Sequence, residues 1–325
     1  MNTGKTPENI FKRSILKNVK ARRSEVLTGA SFGEDCAVLD LKEDEVAVVS
    51  EKLLTSEDGF VYEDIFNNVY AVGAKPVGIE TALLLPVGYE ETALKSLIKD
   101  LDGACKDGEV EIIGGDTSFT TSVNRPVMAV TVFAKAGKES YVKTGGAKPG
   151  DDIVITKWAG LKGTYLLARK YEEKLKEKFP ASMILSALQF KKYLTVVYEA
   201  APAVKSGVSA MHDASRGGIF TALWEIAEAS HVGLSVDLKR IPIKQETIEI
   251  CNFFDLNPYN LDSSGAMVMT TDDGEKLVRD LGEEGIEAVC VGKITDSNDK
   301  VVINGDSKRF LEPFRSDELT KIYDL

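Results

Sequence analysis

The chain has 325 residues, enough for roughly two domains of ~150 residues each, and its 43% hydrophobic content supports packed cores. A formal net charge of −11 argues against nucleic-acid binding through a basic patch and against docking on an anionic membrane. It leaves anionic small molecules open, because metal, backbone N–H groups and a few local cations can hold a phosphate.

The polar segment Met1–Lys20 has no apolar core, and no apolar run approaches the ~18–20 residues of a membrane span, so the cytoplasm is the expected compartment. Cys36, Cys105, Cys251 and Cys290 lie far apart without a C-x-x-C pair, which points to reduced thiols rather than a zinc or disulfide framework.

In chain order, Val46–Val49 reads as a strand, Asp64–Val72 as a helix stopped by Gly73 and Pro76, and Thr81–Leu85 as a strand. Leu94, Leu97, Ile98, Leu101 and Cys105 recur at helical spacing, which predicts an amphipathic helix over Glu90–Lys106. Strands follow at Glu109–Ile113 and Val127–Ala136. Lys143–Asp152 is turn chemistry throughout and marks a boundary between domains 1–147 and 148–325.

Beyond it, Ile153–Thr156 restarts the strand pattern. Gly160 and Gly163 open a helix to about Lys176, Pro180–Ala200 is largely helical, and another helix spans Ile219–Ser230. Strands at Leu234–Asp237, Ala266–Thr270 and Glu287–Val291 surround a helix at about Gly274–Leu281. Each half is α+β.

Standard nucleotide signatures are missing. Gly4-Lys5-Thr6 mimics the end of a Walker loop, but no strand and glycine loop precede it. Three other segments carry chemistry. In Gly33-Glu34-Asp35-Cys36, two carboxylates after a glycine suit a hard cation such as Mg²⁺, or form a solvated acidic turn. In Ile112–Thr117, an apolar strand runs into Gly114, Gly115 and Asp116: either the backbone approaches a ligand while Asp116 holds metal, or the glycines make a turn.

In His212–Gly218, Gly217 and Gly218 at a helix start offer N–H groups to an anion, and Arg216 adds a bidentate contact. Alternatively Asp213 or Ser215 is a cap. His231 fits a helix end, and Cys36 fits a buried small hydrophobe.

Taken in order, these segments resemble the AIR synthase superfamily, which includes thiamine-phosphate kinase, selenophosphate synthetase and the hydrogenase maturation factor HypE. The resemblance rests on Gly33–Val38, on Asp64–Pro76 with its Gly-Ala-Lys-Pro end, and on Gly114-Gly115-Asp116-Thr117. In the second half it rests on Lys148–Asp152, Trp158–Thr164 and the HypE-type Met211–Gly218. It implies a two-domain α+β fold with an N-terminal ATP-binding domain, a homodimer joined through N-terminal sheets, and ATP with Mg²⁺ as cofactors.

Carried over residue by residue, Glu34, Asp35, Glu51, Asn68 and Asp116 are the metal candidates. Gly33, Gly114, Gly115, Thr117, Arg216, Gly217 and Gly218 lie near nucleotide, and Asp213 and His212 on the substrate side.

The chain departs from the family pattern at Glu34, Glu51 and Asn68, where the family has aspartate. It ends Thr320-Lys321-Ile322-Tyr323-Asp324-Leu325, with no cysteine beyond Cys290, so the terminal-cysteine carbamoyl chemistry of HypE proper is not expected. The expected function is an ATP/Mg²⁺-dependent enzyme that activates or phosphorylates an unidentified small molecule or carboxamide-type group, with a maturation protein as a further partner. The alternatives are a non-catalytic nucleotide-binding accessory protein, and an AIR synthase or thiamine-phosphate-kinase-like enzyme.

Overall fold

The computed structural model describes residues 4–5, 10–30, 38–55, 60–313 and 315–323. The chain divides into two compact units, one of residues 1–69 with 74–139 and one of residues 70–73 with 140–325.

The first unit contains β1 (Gly4–Lys5), β2 (Val26–Thr28), β3 (Val38–Leu39), β4 (Glu45–Thr55), β5 (Lys75–Pro86), β6 (Glu111–Thr120) and β7 (Val127–Gly137). Five of them form one sheet in the order β1-β6-β5-β7-β4, in which β5 and β6 are parallel and the other pairs antiparallel. Helix α2 (Glu91–Asp107) makes the β5–β6 crossover and buries Leu94, Leu97, Ile98, Leu101 and Cys105, the stripe expected from their spacing.

Strand β7 alternates strictly, with Met128, Val130, Val132, Ala134 and Ala136 buried and the residues between them half-buried. One face of the sheet is therefore core. The other stays open, with Val49 57% and Leu53 53% exposed on β4 and Leu84 39% exposed on β5.

Two expectations change here. Helix α1 covers only Asn67–Tyr70 rather than Asp64–Val72. Its flanks close by tight turns, Asn67 N–H to the Asp64 carbonyl and Val69 N–H to the Phe66 carbonyl, and Asn and Val are weak helix formers. Strand β6 does not end at Ile113. It runs through Gly114–Thr120, because β5 pairs with it from Glu80↔Gly114 to Pro86↔Thr120, and this ladder offsets the low strand preference of glycine. The turn reading of Gly114–Asp116 is thereby excluded.

The second unit is built on a seven-stranded sheet of β8 (Asp152–Thr156), β9 (Ala210–Asp213), β10 (Gly233–Asp237), β11 (Met267–Thr271), β12 (Ala288–Thr295), β13 (Lys300–Asn304) and β14 (Ser307–Phe310). The spatial order is β14-β13-β10-β12-β8-β11-β9. Its helices are α3 (Leu161–Lys170), α4 (Glu172–Lys176), α5 (Ala181–Gln189), α6 (Val197–Ser206), α7 (Gly218–Ala229), α8 (Gln245–Phe254), α9 (Gly274–Glu283) and α10 (Thr320–Tyr323).

Ile219, Leu223, Ile226 and Ala227 of α7 pack on Ile153, Ile155, Leu234 and Val268 of the sheet. A second core joins Leu167, Leu175, Ile184, Ile250 and Leu261. The helix expected to run to Lys176 is broken at Tyr171, and the β13–β14 hairpin was not foreseen. No helix among the described residues is long and apolar enough to cross a membrane.

Candidate functional site

Gly33, Glu34 and Asp35 lie outside the described residues. In the first unit, strand alternation places the remaining acids. The register Glu51↔Thr131↔Glu80↔Gly114 crosses β4, β7, β5 and β6, and the next outward row is Leu53↔Ala129↔Ala82↔Asp116. Glu51 and Asp116 therefore share the open face but stand three strands apart, roughly 14 Å at ~4.8 Å per strand. One ion cannot be ligated by both within a single chain. Asn68 is exposed at α1, whereas its neighbour Asn67 is fully buried.

Asp64, four residues before Asn68, is fully buried and holds Lys52 Nζ at 2.9 Å. It is committed to a structural ion pair. Lys52 alternates with Glu51 along β4, so this pair lies on the core side of the sheet.

Around Asp116 the backbone is unusually close-set. Gly115 has φ +147°, and a Cβ there would collide with the Thr81 carbonyl oxygen of the neighbouring strand. A Cβ on Gly114 would sit 2.9 Å from Glu80 Oε1. The missing side chain thus leaves a cradle over which the Glu80 carboxylate lies. Asp116 is exposed, and its hydrogen bond comes from Ser118 Oγ at 3.4 Å. Thr117, by alternation, points into the core and is buried.

Among the described residues, no three His, Cys, Asp or Glu side chains form a complete metal cage. Two carboxylates without a competing ammonium still suit Mg²⁺, which keeps waters and takes its other ligands from phosphate. Glu80 was not singled out in the sequence because it sits inside a continuous apolar strand.

In the second unit, β8 and β9 both pair antiparallel with β11, so their C-terminal ends share one edge of the sheet. There the chain turns into α3 after Gly160 (φ +69°) and into α7 after Gly217 (φ +80°). His212 and Asp213 are consecutive on β9 and point to opposite faces. His212 Nε2 meets Glu225 Oε2 of α7 at 2.6 Å. Asp213 is 3% exposed on the other face. These two candidates therefore face different sides of the strand.

Asp213 instead belongs with residues that the sequence did not flag. Lys157, at φ +52°, donates from Nζ to the carbonyls of Thr195 (2.6 Å), Gly265 (2.9 Å) and Tyr193 (3.2 Å), and meets Glu199 Oε1 at 2.5 Å. Burial pushes the Lys157 ammonium below its usual range, opposed by the negative charges of Glu199 and Asp213. Burial likewise pushes Glu199 up, opposed by Lys157.

The glycine-opened helix is also not free. Gly217 N–H donates to Asp317 Oδ2 at 2.7 Å, and Leu319 N–H donates to Asp317 Oδ1 at 2.9 Å. Burial, and secondarily the charge of Asp262, raise Asp317 to about 6. The anion at this helix start is thus supplied by the chain itself. Gly218 (φ +66°) packs against the carbonyls of Tyr259 and Leu261, and Arg216 is exposed without an ion pair among the described residues.

Comparison with known proteins agrees with this two-unit architecture. Residues 33–136 match the N-terminal domain model of AIR synthase related proteins, and residues 148–304 match the C-terminal domain model. The chain belongs to the AIR synthase related family.

Among its relatives, a protein of Methanocaldococcus jannaschii named for hydrogenase expression/formation is 25% identical over 313 residues, covering 92% of this chain and 91% of the relative. The carbamoyl dehydratase HypE of Rhizobium leguminosarum bv. viciae is 24% identical over 260 residues, covering 75% and 69%. The crystal structure of the hydrogenase maturation protein HypE in complex with ATP superimposes with a TM-score of 0.78 at 18% identity, covering 95% of this chain and 94% of that one. That likeness gives the AIR synthase related chain a HypE-like two-domain fold.

Proposed function

We propose that the chain is a HypE-like, ATP- and Mg²⁺-dependent enzyme that activates or phosphorylates a small molecule or carboxamide-type group. The observation that carries this reading is the Gly114-Gly115-Asp116 segment of β6. Its glycines bring bare backbone against β5, and its carboxylate is exposed on the open face. The HypE–ATP complex among the structural neighbours supports nucleotide as the ligand. Bound Mg²⁺ would supply charge neutralisation for the phosphates, with Asp116 on its protein side. Asp213, beside Lys157, is the substrate-side acid of the second unit.

Purified protein with Mg²⁺ is expected to hydrolyse ATP slowly, and Asp116→Ala to abolish this. Turnover that survives Asp116→Ala rejects the assignment.

A second reading, a nucleotide-binding accessory protein, is favoured by the opposite facing of His212 and Asp213, which keeps these two groups from acting together. Equal thermal stabilisation by ATP and by a non-hydrolysable analogue, without product, selects it.

The open sheet face supports a homodimer. Val49, Leu53 and Leu84 on one face form an apolar surface of the kind an obligate partner covers. Light scattering of Val49→Glu/Leu53→Glu is expected to report a monomer where the parent chain reports a dimer.

A further inference from the structure

We infer that Glu80 is a metal-facing carboxylate that works with Asp116 in holding the divalent cation accompanying the nucleotide. This rests on the nucleotide–metal reading above and adds a residue to it.

Three observations carry it. First, the parallel register sets Glu80 beside Gly114 and Ala82 beside Asp116, so Glu80 and Asp116 emerge on the same open face from adjacent strands. They are diagonal neighbours at roughly 8 Å between Cα atoms, from one strand spacing and a two-residue rise. Carboxylates on side chains of these lengths can converge on one ion between them.

Second, Glu80 Oε1 lies where a Cβ of residue 114 would press at 2.9 Å. Gly114 therefore does more than admit a ligand to the backbone. It leaves room for the longer Glu80 side chain to lie over β6 beside residue 114. The small residues Ala82, Ala129 and Thr131 around the two acids leave the space above them open.

Third, neither acid is neutralised. The buried acids Asp64, Asp102 and Glu111 of this unit are met by cations or amides: Asp64 by Lys52, Asp102 by Lys106 and the Lys20 N–H, Glu111 by the Arg23 N–H. Among the described residues, no Lys or Arg pairs with Glu80 or Asp116, although Glu80 is half-buried. Two neighbouring like charges at the rim of a sheet are repulsive until a cation enters. Glu51, two strands beyond Glu80, is too far to share the ion in the same chain.

The test uses Mn²⁺ as a paramagnetic substitute for Mg²⁺, with free Mn²⁺ followed by electron paramagnetic resonance in the presence of a non-hydrolysable ATP analogue. Glu80→Gln is expected to weaken Mn²⁺ binding about tenfold or more, a loss of the size that removal of a metal-orienting group produces. Binding of the analogue without metal should stay within about twofold of the parent, since Gln keeps the shape of the side chain. Glu283→Gln, the same charge change on α9 of the other unit, should leave Mn²⁺ binding unchanged.

If Glu80→Gln binds Mn²⁺ as the parent does while Asp116→Asn does not, Glu80 is not a metal-facing residue and the nucleotide–metal reading stands without it. If Glu283→Gln weakens binding equally, the effect is bulk charge and the inference is overturned. If the parent chain binds no Mn²⁺ with or without nucleotide, the nucleotide–metal reading itself fails, and this assignment fails with it.

Discussion

Asp317 accepts the Gly217 backbone N–H at 2.7 Å, so the glycine-opened start of α7 already faces a carboxylate from a segment 100 residues away in sequence. Such a helix start leaves N–H groups unpaired, and Asp317 takes one of them, although burial of its carboxyl outweighs these bonds and favours the protonated form. Leu319 adds an apolar anchor in the α3–α8 core, and Glu318 Oε2 accepts the Asn257 N–H at 3.0 Å.

This contact has a defined pH dependence. Asp317 is raised from 3.8 to about 6 in the folded chain, so the folded state holds its proton more tightly than the unfolded state. Its contribution is fully present below the unfolded value near 4 and is lost as pH rises through about 6. Asp317→Asn, which cannot ionise, should gain on the parent chain by up to about 3 kcal/mol between pH 4 and pH 7. Urea unfolding followed by tryptophan fluorescence reads this directly, because Trp158 and Trp224 both lie in the second unit. A gap between parent and variant that does not change with pH would reject the assignment.

The legible part of this molecule was the part written in local periodicity. The α2 stripe from Leu94 to Cys105 and the alternation of β7 follow from side-chain direction alone, and both were readable within two residues. Strand β6 was cut short because Gly-Gly-Asp is turn chemistry in isolation, and only the partner strand β5 makes it a ladder. His212 and Asp213 looked like neighbours because they are adjacent in sequence. On a strand, adjacency is what separates them. Lys157, Glu199 and Asp317 carried no local signal, since the contacts Lys157–Tyr193, Lys157–Glu199, Lys157–Gly265 and Asp317–Gly217 span 36 to 108 residues.

The buried pair of Lys157 and Glu199 should behave as a coupled unit. Glu199 is fully buried, so Lys157→Met leaves an uncompensated carboxylate and is expected to cost about 3–5 kcal/mol. Adding Glu199→Leu should restore part of that loss, leaving the carbonyls of Tyr193, Thr195 and Gly265 that Lys157 Nζ had satisfied. A double-mutant cycle by urea unfolding checks it, and additive losses would show that the two side chains are energetically independent.

Gly115 is constrained by backbone rather than by ligand. Its φ of +147° disfavours any Cβ, and the Thr81 carbonyl fills the space that one would need. Gly115→Ala should destabilise the first unit by about 1–3 kcal/mol, while Gly103→Ala, in α2 with open space around it, should be neutral or stabilising. Because the second unit carries both tryptophans, hydrogen exchange of β5 and β6 is the appropriate measurement.

The opposite facing of His212 and Asp213 predicts unequal effects on turnover. His212 is held by Glu225, which is half exposed, so His212→Asn loses a solvent-screened contact worth under about 1 kcal/mol and should leave kcat nearly unchanged. Asp213 is 3% exposed at the strand-end edge shared with Lys157 and the turns into α3 and α7. If it handles a substrate proton, Asp213→Asn should lower kcat by about a hundredfold or more while KM for ATP stays close to the parent value. Equal losses in both variants would mean that β9 acts through its backbone placement, and a loss confined to His212→Asn would move the chemistry to the α7 face.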